Sequence, residues 1–320
     1  MATVFACGFL LATFAWPLEQ PPPRGPPDTT MTAEAVPLDR ADPARRRVGG
    51  LVFLGGWRLA SRDVRFGGIS AMHVEDGHVL ALSDAGSLFR FPVPESAGAL
   101  PLHIARVRRG PGSGGQKGDR DGEAMAVAGG NVWIAWEGRN AIWRYRRSDW
   151  ALGAAAEPSA MERWPSMRGP EAMARLADGR FLVLAEGPEG QDGTTPALLF
   201  LDDPALPARS IGLRYRPPRG YRPTDAALLP DGRLLVLNRR FRVLTGFSAM
   251  LTIVNPGRIH PGQVLDGEEL AALSGSLTSD NMEALSITSE GGRAIVWIAS
   301  DDNYIALLQR TLLLKFALAE

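Results

Sequence analysis

DNMEALSITSEGGRAIVWIASDDN, residues 280–303, holds a complete structural unit. A carboxylate enters an apolar strand, a Gly-Gly turn follows, and a second apolar strand ends on an acidic pair. The unit recurs as GGISAMHVEDGHVLALSDAG from Gly67, DGEAMAVAGGNVWIAWEG from Asp121, GPEAMARLADGRFLVLAEG from Gly169 and PTDAALLPDGRLLVLNRR from Pro223. Aligned on their openings, Ser70, Glu123, Glu171, Asp225 and Glu283 share one place, separated by 53, 48, 54 and 58 residues. A period near 50 with paired strands in every unit predicts an all-β chain folded as a β-propeller.

Each unit reads as two strands joined by a tight turn at Asp76-Gly77, Gly129-Gly130, Asp178-Gly179, Asp231-Gly232 or Gly291-Gly292. Asp-Gly and Gly-Gly supply the positive φ that two-residue hairpins need. The second strands, VLALS, VWIAW, FLVLA, LLVLN and IVWIAS, are nearly continuous apolar runs, which indicates burial on both faces as blades stack. Third strands follow at SLFRFPV, AIWRYRR, ALLFLDD, AMLTIVN and RTLLLKFAL. Fourth strands are expected at LHIARVRR and ARSIGLRY, with weaker candidates around Met161–Trp164 and Val264–Leu273. The fifth unit runs out of chain after its third strand, so the N-terminal strand Leu51–Leu59 is expected to close the ring and remove open edges. Five units predict five blades. A sixth, degenerate blade is the alternative, because the inserts 104–118 and 186–197 are loosely patterned.

With 320 residues, 45% of them apolar and 22% charged, the chain has the composition of a globular protein. Its formal net charge of zero argues against a surface built to bind nucleic acid through bulk electrostatics. Residues 2–15, ATVFACGFLLATFA, form an uncharged apolar run. It is shorter than the roughly 20 residues of a spanning helix and resembles the core of an export signal, although no basic segment precedes it. Residues 1–16 are therefore expected to direct export, placing the protein in the periplasm or outside the cell. Residues 17–47, rich in Pro and Arg, are expected to be a disordered lead-in. A single propeller domain is expected over 48–320. The lone Cys7 excludes an intrachain disulfide.

The two strands of each unit are antiparallel, so the start of the first and the end of the second meet at one end of the blade. Glu123, Glu171, Asp225 and Glu283, with Ser70 in the fifth place, should therefore ring one mouth of the central channel. Asp84, Glu137, Glu186, Asn238 with Arg239 and Arg240, and Asp301 with Asp302 should join them. So many carboxylates cannot all ionise without a counter-charge. A hard cation such as Ca²⁺, neutralising arginines, or retained protons available for general acid chemistry would each relieve the repulsion. Taken singly, any of these residues could merely cap its own turn, and their recurrence could reflect blade duplication.

FGGISAM…LALSDAG, DGEAMAV…VWIAWEG, GPEAMA…LVLAEG, PTDAALLPDGRLLVLNRR and DNMEALSIT…VWIASDDN followed by QRTLLLKF together resemble the phytase-like family, described as having esterase-like activity. The resemblance runs from Phe66 to Phe316, and DNMEA…SDDN…QRT is its most specific part. It implies a propeller fold, an exported bacterial protein and hydrolysis of a phosphate or carboxylic ester. A phosphate site in this setting needs several basic groups, and only Arg239 and Arg240 stand at the right end.

No G-x-S-x-G elbow occurs, and His73, His78, His103 and His260 are scattered, which disfavours a Ser-His hydrolase or a His-ligated zinc centre. The Gly-rich run 108–123 lacks P-loop spacing and reads as a loop over the mouth, with Lys117, Asp119 and Arg120 as candidate ligand contacts. The resulting expectation is a metal-assisted hydrolase of a small-molecule ester or phosphate ester. Ca²⁺ is expected on Glu123, Glu171, Asp225 and Glu283, with support from Asp301 and Asp302. Glu171, Glu283, Arg239 and Arg240 are the expected catalytic groups. The rivals are a non-catalytic propeller binding a ligand, metal or exported partner at the same face, and a calcium-dependent lactonase of another propeller family.

Overall fold

A computed structural model describes residues 29–112, 120–187, 190, 192–257, 259–305 and 308–319. The expected export segment 1–16 lies outside the described residues, as do Lys117 and Asp119 of the Gly-rich run.

Five four-stranded antiparallel blades make the molecule. Ahead of them come β1 (Thr30–Ala35), β2 (Arg47–Val48) and β3 (Leu51–Ala60). Blade 1 holds β4 (Ile69–Glu75), β5 (His78–Ser83), β6 (Ser87–Pro92) and β8 (His103–Arg106), with the short β7 (Gly98–Pro101) looping outward before β8. Blade 2 holds β9 (Gly122–Ala128), β10 (Asn131–Trp136), β11 (Ala141–Arg146) and β12 (Leu152–Ala156). Blade 3 holds β13 (Pro170–Arg175), β14 (Phe181–Ala185), β15 (Thr195–Phe200) and β16 (Ser210–Arg216). Blade 4 holds β17 (Arg222–Leu228), β18 (Leu234–Arg242), β19 (Gly246–Val254) and β20 (Val264–Leu273). Blade 5 holds β21 (Asn281–Glu290), β22 (Arg293–Asp301), β23 (Thr311–Leu318) and the N-terminal β3.

The inner strands β4, β9, β13, β17 and β21 touch in ring order, and β21 touches β4 again. Antiparallel pairing of β3 with β23, from Leu51 opposite Leu318 to Leu59 opposite Thr311, closes the circle as expected. Among the described residues the two loose inserts hold only β8 and the beginning of β15, so no sixth blade forms.

Apolar clusters lie between neighbouring blades. Trp136, Ile134 and Leu82 join blades 1 and 2, Trp133, Phe181 and Val183 join blades 2 and 3, and Leu237, Ile298 and Leu314 join blades 4 and 5. This explains the unbroken apolar second strands: β14 is buried at every residue because both of its faces meet another blade. Three of the inner hairpins turn through two consecutive positive-φ residues, Asp76-Gly77, Gly129-Gly130 and Gly291-Gly292, as two-residue loops do. The other two are wider. At Asp178-Gly179 and Asp231-Gly232 only the glycine takes positive φ, and Leu176 and Leu229 donate to the carbonyls of Arg180 and Arg233 across three-residue loops.

Two sequence expectations need correction. The lead-in 17–47 is folded from Thr29 onward. β1 lies between β3 and β7, with Met31 and Ala33 buried, and so ties the last blade to the first. Leu38 is fully buried, and Thr278 donates its N–H to the Leu38 carbonyl and its hydroxyl to that of Pro37. Two inward side chains are too few to raise a periodic signal above a Pro/Arg-rich background. In blade 2 the fourth strand is the alanine-rich β12, and the Met161–Trp164 segment instead forms a buried turn beside it.

Candidate active site at the channel mouth

Every inner strand carries a β-bulge against its neighbour, and in every blade it falls at the same place. The residues skipped in the pairing are Ser70, Glu123, Glu171, Thr224 and Glu283. A bulge breaks the ladder and re-aims its side chain. Here the three glutamates are turned into the mouth. The two hydroxyls serve the ring instead: Ser70 donates to the Gly122 carbonyl, and Thr224 to that of Met282. Each bond lands just before the next blade's bulge.

A second set of five comes from the second strands, each residue following the partner of the position just before the bulge. These are Asp84, Glu137, Glu186, Arg239 and Asp301. The two sets meet around a cavity of about 210 Å³, lined by eight carboxylates: Asp84, Asp121, Glu123, Glu137, Glu171, Glu186, Glu283 and Asp301. Arg239, Met167 and Asn303 complete the lining. Among the described residues Arg239 is the one basic group in it. It pairs with Glu283 at 2.6 Å and Glu186 at 3.2 Å and donates to the Asn281 side-chain oxygen. Arg222 reaches the other oxygen of Glu186 at 3.2 Å.

Of the expected site residues, the structure gathers Glu123, Glu171, Glu283, Asp301 and Arg239. It does not bring Asp225, Asp302 or Arg240 to the pocket. Asp225 sits one residue past its bulge, in the place held by Ala71, Ala124, Ala172 and Ala284 in the other blades. Its carboxylate accepts the N–H groups of Leu285 and Ala226, pinning blade 4 to blade 5. Asp302 accepts from the backbone of Gly68 and Tyr304 and from the Thr311 hydroxyl. Arg240, on the opposite side of β18 from Arg239, stacks its guanidinium 4.3 Å from the centre of the Tyr221 ring. Asp121 and Met167 are lining residues that the sequence reading did not single out. The DGE opening of the second unit, with two acids bracketing a glycine, was the available signal for Asp121.

Burial and mutual repulsion govern the ionisation of this cluster. Burial first, then Asp121, Glu171, Glu137 and Asp84, hold the Glu123 carboxyl well above its usual range. Glu171 is raised likewise by burial and then by Glu137 and Glu186, and Asp301 by burial and then by Asp84 and Glu283. Burial lifts Glu137 to about 7 against the opposing effect of its hydrogen bond with Glu171. Two carboxyls that hydrogen-bond share a proton. Glu283 is also lifted to about 7 by burial, with Arg239 pulling the other way. Burial works against the Arg239 charge, but Glu283, Glu186, Glu171 and Asp301 outweigh it and keep the guanidinium protonated. Asp121, Glu123 and Glu137 each offer an oxygen, the three lying within 4.8 Å of one another.

The sequence from 64 to 304 matches the phytase-like family model, described as the esterase-like activity of phytase. The chain belongs to the phytase-like family. No curated protein matches this phytase-like chain. Among solved structures, it is similar to a glutaminyl cyclase of Myxococcus xanthus at a TM-score of 0.48 and 11% identity, over 79% of this chain and 92% of that one. A luciferin-regenerating enzyme aligns at 0.47 and 11%, over 90% and 98%, and the allergen Mala s 1 of Malassezia sympodialis at 0.46 and 11%, over 85% and 91%. Among the described residues no helix is long and apolar enough to cross a membrane.

Proposed function

We propose that this phytase-like propeller hydrolyses a phosphate or carboxylic ester at the acidic mouth, with the help of a hard divalent cation for which Ca²⁺ is the first candidate. The observation that carries the reading is the convergence of eight carboxylates with one arginine on a single cavity. The donor set fits such an ion. It is all oxygen, it is acidic, and it includes three carboxylates within mutual reach. Asp121, Glu123 and Glu137 would hold the cation, with Asp84 and Asp301 completing the acidic surround. Asp225 and Asp302 are left out because backbone N–H groups already occupy their oxygens. A cation bound there would polarise the ester and lower the pKa of water.

The chain's own groups divide the remaining work. Glu171 shares a proton with Glu137, which equips it to move a proton to the leaving oxygen or from water. Arg239 is held against Glu283 and Glu186 at the cavity wall, where its remaining N–H groups face developing negative charge. Export, expected from the apolar N-terminal run, would expose the site to the higher calcium levels that weakly binding extracellular modules use.

A second reading, a cation- or ligand-binding propeller without turnover, draws on the mutual neutralisation of Glu283, Glu186 and Arg239. The two separate on a panel of carboxylic esters, phosphate monoesters and lactones assayed with calcium and with EDTA. Calcium-dependent turnover that falls at least a hundredfold in Glu171→Gln, with unchanged melting, supports hydrolysis. A panel with no turnover leaves the binding reading. A lactone preference would favour lactonase chemistry at the same pocket.

A further inference from the structure

Among the described residues, the large apolar side chains left exposed are not spread evenly. Of eight such residues, Leu54 lies on β3 and Leu206 in the β15–β16 connection at the opposite end, whereas Val64, Met167, Phe241, Val243, Leu244 and Leu308 all lie at the mouth end of the ring, Phe241 near the end of β18 and the others in connections. Val64 is in the link from β3 to β4 and Met167 in the link from β12 to β13, each entering an inner strand at its mouth end. Leu308 is in the β22–β23 turn beyond Asp301. The other three ride on the β18–β19 hairpin, which runs on past Arg239 to a tip at Arg242 and Gly246. Phe241 is two residues from the pocket-lining Arg239 on the same strand, so it faces the same side about 7 Å further out. Its ring packs on Phe247 with centres 4.8 Å apart, which stiffens the hairpin, while Leu244 at the tip is 96% exposed. Met167 belongs to the cavity lining itself, so apolar surface continues from inside the pocket outward.

Exposed apolar residues scattered singly need no explanation, whereas their concentration around one opening does. Beneath this collar the pocket is unsuited to a highly anionic substrate. Among the described residues eight carboxylates face one guanidinium, whose charge is already shared by Glu283 and Glu186.

We infer that the apolar collar binds the hydrocarbon part of the substrate, making the preferred substrate an amphiphilic carboxylic ester with a medium or long alkyl or acyl chain, in place of a polyphosphorylated alcohol. The inference rests on the reading of the pocket as the ester site. The ester group sits at the carboxylates, and the chain leaves the cavity past Met167 and lies along Phe241, Val243 and Leu244.

The test is calorimetric titration of the full chain, with calcium and with EDTA, using N-alkylacetamides from butyl to decyl below their micellar concentrations. These uncharged amides imitate the ester without being cleaved by an esterase on the timescale of the titration. Affinity is expected to rise about two- to fourfold per added methylene. The rise should flatten in the double variant Val243→Ser/Leu244→Ser, whose exposed positions leave the fold intact. Equal affinity for butyl and decyl amides, or no binding of either, overturns the inference. So does binding of the protein to neutral phospholipid vesicles without chain-length dependence for the monomeric amides, since the collar would then be a membrane-surface contact. A matching series of p-nitrophenyl esters separates the two levels. Turnover that is flat with chain length removes the collar's role and keeps the hydrolase. Chain-dependent amide binding without any turnover removes the hydrolase and keeps the collar.

Discussion

Asp225 and Arg239 show how one blade of five departs from its neighbours. In the register of the sheet, blade 4 places Thr224 where three other blades place glutamate, and Arg239 where the others place a carboxylate. Its acid has moved one step along the strand and become a structural pin. Burial holds the Asp225 carboxyl well above its usual range even though two backbone N–H groups pull it down. Asp225→Ala should therefore cost about 1–3 kcal/mol in a denaturant melt, because the Leu285 N–H is left without its acceptor, and leave calcium affinity unchanged. Arg239→Met should be far more severe. Stranding Glu283, and leaving Glu186 with Arg222 as its basic partner, costs about 3–5 kcal/mol at pH 8 in EDTA, and less with calcium present. Arg240→Ala should lose only about 0.5–1 kcal/mol of cation–π contact.

The pH response of the metal-free protein follows from the same residues. Glu137 and Glu283 have folded values of about 7 against about 4.5 when unfolded, so between those limits the native state keeps protons that the unfolded chain has released. Their contribution to stability then falls as pH rises from about 4.5 to 7, and Glu123, Glu171 and Asp301, held well above their usual range, carry the decline further in the same direction. Melting in EDTA at pH 5, 6, 7 and 8 should show that decline. Calcium should flatten it, since a bound cation takes over the role of the retained protons.

At the level of strands and turns, what could be read in advance depended on how many side chains carried the signal. The inner hairpins were legible because each couples a glycine turn to a second strand buried on both faces. The alternation rule alone separates Arg239 from Arg240 and Asp301 from Asp302, since neighbours on a strand face opposite ways. Treating each pair as one contribution to the mouth overlooked that rule. Asp225 was a harder case. Its D-A-A matched E-A-M in the aligned openings, and only the bulge register shows that Thr224 occupies the place. β1 was invisible for another reason, since Met31 and Ala33 are its only buried side chains. It still bridges two blade edges. Met31→Asp should lower the melting temperature sharply by placing a charge at the seam between β3 and β7, while calcium binding by the surviving folded fraction stays normal.

On the scale of the whole molecule, five blades bring together acids that lie more than two hundred residues apart in the chain, from Asp84 to Asp301. Neither the repeats nor the composition could say which oxygens would face inward, because that depends on the bulges and on the pairing across the ring. We propose above all that this convergence is a cation site. The measurement that tests it most directly is thermal unfolding under calcium titration, run on the natural sequence and on Glu123→Gln/Glu137→Gln. At a hundredfold excess over Kd, binding adds about 2.7 kcal/mol, which for a domain of this size is a rise of roughly 4–5 °C. That rise is expected in the natural protein and its loss in the double variant. A melting temperature indifferent to calcium up to millimolar concentrations, or an equal rise in both proteins, would contradict it.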